Sequence, residues 1–320
     1  MRRILKMSKN ACRKAFGDEL VKLAASDENI IVICSDSKGS CSMTEFSETY
    51  PKQFVEVGIA EQNEVGIAAG MSTAGYKPFV CAPACFLSAR SLEQVKVDVA
   101  YSHKNVALFG VSGGVSYGAL GQTHFSTHDI AVMRCMPDLS VVLPSDARQT
   151  AAVAKYFVNN PMPVYIRVGR AAVEDIYGEN DDSFIYGKAN ELREGTDAAI
   201  IACGEMVKTS LDAADLLAEE GIKIRVLDFA TIKPIDRDAI IKAAKETGAI
   251  LSIEEHSVNN GLGSIVASIV GEEYPVPLKI MGLPDINLIT GESDEIKDEY
   301  HLDCEGVIAN MRELLKRKNN

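Results

Sequence analysis

The chain has 320 residues, 47% of them apolar, with 24 glycines and 11 prolines, which excludes a disordered or low-complexity polymer and makes two packed domains the expectation. Its 33 basic and 45 acidic residues leave a formal charge of −12, so a broad phosphate-backbone footprint is excluded, no nucleic acid partner is expected, and anionic small ligands must be met by local clusters of cations. No apolar stretch reaches the roughly 18 residues needed to span a bilayer. The basic start has no apolar run after it, and the eight cysteines contain no CxxC pair, so they read as reduced core thiols. A cytoplasmic protein without membrane contact is expected.

In chain order, short β-branched runs alternate with stretches of helical period, the signature of parallel sheet covered by helices on both faces. Strands are expected at 29–34, 54–57, 77–81, 106–110, 140–143 and 164–168. Helices are expected at 9–25, 61–74, 88–101, 127–135 and 146–159. Polar turn residues from Tyr177 to Ser183 break the rhythm and place a linker near 178–195. The alternation then resumes, with strands at 198–202, 223–227, 249–253 and 277–280 and helices at 205–220, 236–247, 262–271 and 303–317. The fold class is α/β, with two doubly wound domains in series and the second smaller.

In open parallel sheets ligands bind outside the carboxyl ends of the strands, so the segments leaving strands are where functional side chains are sought. Val57-Gly58-Ile59-Ala60-Glu61-Gln62-Asn63-Glu64 puts Glu61 and Glu64 in the first turn of a helix. The helix dipole alone favours carboxylates there by about 0.3–1 kcal/mol, which is the bland alternative to a functional role. Ser112 to Asp129 carries four glycines that allow close backbone approach to a ligand, and two histidines, His124 and His128. Capping by Thr127 or Asp129 is the alternative there. Ala82 to Arg90 places Phe86 at a strand-to-helix turn, with Arg90 one helical turn on, and Ile253 to Ser264 is a fourth strand–loop–helix segment that could equally be a domain contact.

Gly110-Val111-Ser112-Gly113-Gly114 matches the GxSxG pattern of serine hydrolases, but its glycines oppose the helix that such an elbow requires. There is no GxxxxGK[ST], GxGxxG after a strand, HExxH or EF-hand loop, so nucleotide, dinucleotide and zinc-protease readings lack their motifs.

Taken together, Val57 to Asn63, Ala82 to Arg90, Gly121-Gln122-Thr123-His124, Leu143-Pro144-Ser145-Asp146, and Ile253-Glu254-Glu255-His256 followed by Gly261-Leu262-Gly263-Ser264 resemble the C-terminal half of transketolase and the related deoxyxylulose-phosphate synthases. The resemblance spans about 8–315 and implies a pyrimidine-binding domain over 1–185, then a transketolase C-terminal domain over 190–320. It also implies thiamine diphosphate bound between chains. By resemblance, Glu61 is the acid that hydrogen-bonds the aminopyrimidine nitrogen, and a glutamic acid held in an apolar pocket keeps its proton for that purpose. Phe86 is the stacking ring, a contact worth on the order of 1 kcal/mol, with Arg90 beside it on the cofactor. His124 is the proton-transfer histidine near the substrate, and His128 and Arg170 are further substrate contacts, Arg170 on phosphate.

Three departures follow. The family's GDG motif, which binds the diphosphate and Mg²⁺, is missing, so this chain is expected to be half of a split transketolase with no metal ligands of its own. Mg²⁺ then sits mainly on an N-terminal GDG-bearing subunit, with a homodimer of this chain inside an α2β2 assembly acting on sugars. Leu120 stands where many members carry an acid, and Leu5 and Ser112 take the places of a second phosphate-binding arginine and a histidine. Alternative readings are the beta subunit of a 2-oxoacid dehydrogenase and a non-catalytic scaffold.

Overall fold

A computed structural model describes residues 9–178 and 184–319 of the chain. Its strands are β1 Lys9–Ala11, β2 Ile30–Cys34, β3 Phe54–Glu56, β4 Lys77–Pro83, β5 Ala107–Val111, β6 Ser140–Val142, β7 Val164–Val168, β8 Ala172–Glu174, β9 Asn190–Arg193, β10 Ala198–Ala202, β11 Ile224–Asp228, β12 Thr231–Lys233, β13 Ile250–Ser257 and β14 Leu278–Leu283. They form a seven-stranded sheet in the order β12-β6-β7-β5-β4-β2-β3, a five-stranded sheet β14-β13-β10-β11-β9, and a ribbon of β1 with β8. All pairs within the two large sheets are parallel except β12 with β6 and β11 with β9. Both domains are therefore α/β, as the alternation of runs requires.

The expected parallel strands form because their residues are apolar on both faces and helices cover both sides. Phe16 and Phe79 pack on one face of the large sheet, and Val65, Leu87 and Val95 on the other. The four strands without a counterpart in the sequence reading, β1, β8, β9 and β12, are three or four residues long and pair antiparallel. Such pieces are too short to show a strand pattern in the sequence. Three boundaries are corrected. Residues 9–11 are strand, so the first helix is Cys12–Ala24. The helix expected at 88–101 starts at Ala84, breaks after Ala89, and resumes as Leu92–Gln94 and a π-helical Val95–Tyr101. The linker expected at 178–195 already contains β9, while residues 179–183 inside it lie outside the described residues.

The two halves are stitched together. β12 belongs to the second half of the chain but pairs with β6 of the first sheet, and the Leu143 N–H donates to the Ala230 carbonyl at 2.7 Å. One apolar cluster runs without interruption from Ile31, Val80 and Leu108 to Ile201, Leu227, Phe229 and Ile250. The Leu143-Pro144-Ser145-Asp146 segment sits at this seam as a structural joint. The Asp146 carboxylate caps helix Ala147–Asn159 by accepting from Gln149 N at 2.7 Å, and also accepts from the Ile176 and Tyr177 amides at 2.6 and 2.9 Å. Ser145 Oγ donates to Asp228 Oδ2 at 3.0 Å, which also accepts from Gln149 Nε2 at 2.8 Å and Tyr177 Oη at 2.6 Å.

Burial pushes the Asp228 carboxyl up to about 6 in spite of these three donors. The folded chain thus holds this proton more tightly than the unfolded chain. The group's contribution is complete at low pH and is lost as pH rises through about 6. Asp228→Asn, which cannot ionise, should gain on the natural chain by on the order of 2 kcal/mol between about pH 4 and about pH 7, measured by urea unfolding. A stability difference that stays constant with pH overturns this.

Candidate functional site

Because β2, β3, β4, β5 and β7 are mutually parallel, the segments that follow them converge on one edge of the sheet. Glu61 opens helix Glu61–Thr73 directly after the turn that leaves β3, and it is 3% exposed. Arg90 Nη1 donates to both of its carboxylate oxygens at 2.8 Å. The surroundings of Glu61 are thus not the apolar pocket that the resemblance implies: a carboxylate nearly out of water requires a counter-charge, and the guanidinium supplies it. The carboxyl lodged without a cation is Glu64, one turn further on. It is fully buried, with Oε1 accepting from Cys81 N at 3.3 Å and Oε2 without a partner. Burial, with Glu61 nearby, pushes its carboxyl well above the usual carboxylate range.

Phe86 is the third residue of helix Ala84–Ala89 and is half-buried, not a ring standing on a loop. The Arg90 guanidinium lies over its ring, 4.3 Å from the centroid, and the His124 ring packs against it in a T-shape with centroids 5.1 Å apart. His124 in turn meets Tyr117 at 5.5 Å, and its Nδ1 lies 3.0 Å from Thr123 Oγ1. Arg170 Cζ lies 4.6 Å from the Tyr117 centroid, while Arg170 Nη1 donates to Tyr117 Oη at 2.9 Å. Glu61, Arg90, Phe86, His124, Tyr117 and Arg170 therefore form one unbroken line of contacts. His128 is set to the side of it, with Nε2 3.5 Å from Ser88 Oγ on the helix that bears Phe86. Leu120 ends a short 3₁₀ turn and is exposed.

Behind the line lies a buried ionic joint. Asp129 Oδ2 accepts from Tyr165 Oη at 2.7 Å and Arg167 Nε at 3.0 Å, and Arg167 Nη2 donates to the Glu255 carbonyl at 2.6 Å. Burial opposes ionisation of Asp129, yet the Arg167 guanidinium, aided by His256 and Tyr165, holds its carboxyl below the usual range. The Gly113-Gly114 pair is explained here. A Cβ on Gly113 would stand 2.1 Å from Arg167 Nε, and one on Gly114 2.3 Å from Glu255 Oε1. The close approach that these two glycines permit is to the chain's own charges. Capping by Thr127 or Asp129 is not what occurs, since His128 is the N-cap and lends no side-chain bond. The Ile253 to Ser264 segment is a domain contact and a helix cap: Glu254 accepts from the Leu262 and Gly263 amides at 2.7 and 2.8 Å, and Ser257 N donates to the Thr127 carbonyl at 3.0 Å.

Ser112 has the positive φ (64°) of a nucleophile elbow, but it is buried, its Oγ makes no hydrogen bond, and no helix directly follows it. The hydrolase reading has no geometry behind it. Leu5 lies outside the described residues. Among the described residues no three His, Cys, Asp or Glu side chains are grouped to hold a metal, and no helix is long and apolar enough to cross a membrane. Sequence reasoning missed Arg13 and Tyr117, and weighed Asp129 only as a helix cap. For Arg167 a signal was present: a charge inside the buried run Val164-Tyr165-Ile166-Arg167-Val168 needs an explanation.

Residues 8–175 match the family described as "Transketolase, pyrimidine binding domain", and residues 187–307 match "Transketolase, C-terminal domain". These define a pyrimidine-binding α/β domain joined to a second α/β domain. The chain is 54% identical over 307 residues to a subunit of the apulose-4-phosphate transketolase of Phocaeicola vulgatus, covering 96% of this chain and 98% of that protein. It is 36% identical to the 6-deoxy-6-sulfo-D-fructose transketolase subunit SqwH of a Clostridium species (strain MSTE9), covering 98% of both. A solved structure, "Split gene transketolase, inactive beta4 tetramer", superimposes with a TM-score of 0.88 at 37% identity, covering 96% of this chain and 99% of that one. The chain belongs to the transketolase family, as the C-terminal subunit of a split transketolase.

Asp129→Asn would leave Arg167 buried without its counter-charge, so a loss of about 3–5 kcal/mol is expected in denaturant unfolding. A loss below about 1 kcal/mol would show that the joint is not ionic in the sense described.

Proposed function

We propose that this chain is the activating subunit of a cytoplasmic, thiamine-diphosphate-dependent transketolase that moves a two-carbon ketol unit from a ketose or ketose phosphate to an aldose. Its domains are taken as 1–185 and 190–320. The observation that carries the reading is the slot between Phe86 and Glu61. A flat, N–H-bearing group, the Arg90 guanidinium, already lies against the ring and on the carboxylate, and an aminopyrimidine has the same planarity and the same kind of donor. The cofactor, when bound, supplies the carbon that accepts the two-carbon fragment and the sink for its electrons.

The chain's residues have distinct tasks. Arg90 withdraws from the slot and lies along its rim. Phe86 orients the pyrimidine by stacking. Glu61 holds or moves the proton at the pyrimidine ring nitrogen. His124, with Nδ1 against Thr123 Oγ1, has Nε2 left to exchange protons with substrate oxygens. His128 lines the substrate path beside Ser88, and Arg170 receives an anionic substrate end. The diphosphate and its Mg²⁺ fall to a GDG-bearing partner chain, since this sequence has no GDG motif. The names of the relatives, a transketolase subunit and a split-gene transketolase, support a partnered assembly. An α2β2 complex with this chain as its central homodimer fits a site that neither polypeptide completes alone.

In the complex with its partner, supplied with cofactor and Mg²⁺, Glu61→Gln should lower kcat with a ketose donor by at least about 100-fold. The complex should still assemble, as read by size-exclusion chromatography. Full turnover by that variant would eliminate the assigned role. The purified chain alone should bind thiamine diphosphate weakly in calorimetry. Tight, Mg²⁺-dependent binding by this chain in isolation would contradict the divided site.

A further inference from the structure

The loop that carries His124 runs from β5 to helix Asp129–Arg134 with only the 3₁₀ turn Gly118–Leu120 as regular structure, so packing decides where its backbone lies. That packing is on the other domain. Val115 and Phe125, near the two ends of the loop, are buried in the apolar core of the second domain, in one cluster with Ile200, Val226, Ile253 and Leu283. Phe125 directly follows His124 in the chain. The Glu255 carboxylate accepts from Val115 N at 2.8 Å, and Gln122 Oε1 accepts from Leu288 N at 3.3 Å. A Cβ on Gly118 would stand 2.2 Å from the Gly291 carbonyl oxygen, and one on Gly121, where φ is 71°, 2.7 Å from Thr290 Oγ1. Glu255, Leu288, Thr290 and Gly291 all belong to the second domain.

The first domain meets the same loop through side chains. Phe86 packs on the His124 ring, and Ser40 and Arg170 bond the Tyr117 hydroxyl. Those side chains can turn about their own bonds, whereas an aromatic ring buried in a close-packed core is held in one place, and its burial outweighs any single neutral hydrogen bond. His124 therefore stands where its neighbour is fixed. We infer that the second domain positions the His124 imidazole, with Phe125 as the positioning residue and Val115 as its counterpart at the start of the loop. The inference rests on the transketolase reading for the proton-transfer task of His124, and on packing alone for its placement. It gives the second domain a part in the site, although that domain contributes none of the residues in the line from Glu61 to Arg170.

The test reads the imidazole C2 protons of the five histidines in the full-length chain by NMR, with the His124 signal assigned through His124→Gln. Because that imidazole lies 5.1 Å from Phe86 and 5.5 Å from Tyr117, ring currents make its signal sensitive to small displacements. Phe125→Leu should move the His124 signal and leave that of the exposed His103 in place, and Phe125→Met, an unbranched side chain that refills the gap, should bring it back toward the natural position. In the complete complex, Phe125→Leu should lower kcat with a ketose donor about tenfold, and Phe125→Met by less. Leu217→Val thins the same core on helix Met206–Glu219 and should change neither the signal nor kcat. Thr290→Phe, an exposed change in the second domain against Gly121, should also move the His124 signal, and it decides the matter should Phe125→Leu fail to fold. An unmoved His124 signal in Phe125→Leu or in Thr290→Phe overturns the positioning, as does an equal shift in Leu217→Val or a full kcat in Phe125→Leu beside a moved signal. Absence of ketose turnover by the natural complex would strike the transketolase reading, and the imidazole signal would still decide the positioning.

Discussion

A guanidinium inside a parallel strand is the constraint around which this molecule is arranged. Arg167 lies buried in β7, where a charge left without a partner would cost the domain about 3–5 kcal/mol. Asp129 neutralises it from one side, and the Glu255 carbonyl of the second domain receives its remaining fork from the other. The glycine-rich loop must pass over this joint with no side chain at 113 or 114, and that passage sets where the loop delivers His124. Domain packing and site geometry thus depend on the same buried charge.

The line from Glu61 to Arg170 shows how a sheet edge becomes a linear site. Each member touches the next through a ring or a guanidinium, groups that are flat and stack or fork in set directions, so the order of contacts fixes the order of chemical functions along it. A carboxylate closes one end and a guanidinium the other, with a titratable imidazole between them. That polarity suits a substrate that reacts at one end and is recognised by its charge at the other.

Much of this is legible in residue order. The parallel strands follow from unbroken β-branched runs, and Glu61, Phe86 and His124 stand out because they lie on segments that leave such strands. What escapes are relations that depend on tertiary partners. The guanidinium on Glu61 comes from a residue 29 positions away, and nothing local tells a carboxylate that will be paired from one, like Glu64, that will not. Arg13 reads as an ordinary helix-surface cation until the β1–β8 ribbon, too short to register as pattern, carries it to Arg170. The cluster of Glu254, Glu255 and His256 suggests chemistry, but its neighbours make it a cap and a contact.

The strand loaned by the second half has a bearing on how the polypeptide can be divided. Stripped of β12, β6 would end the first sheet with its hydrogen-bonding groups open along one side, a template for unwanted association. The apolar cluster that runs between the halves would be laid open by the same cut. A break in the linker is therefore survivable only while both fragments remain seated on each other, so the two units are modules of sequence without being modules of folding.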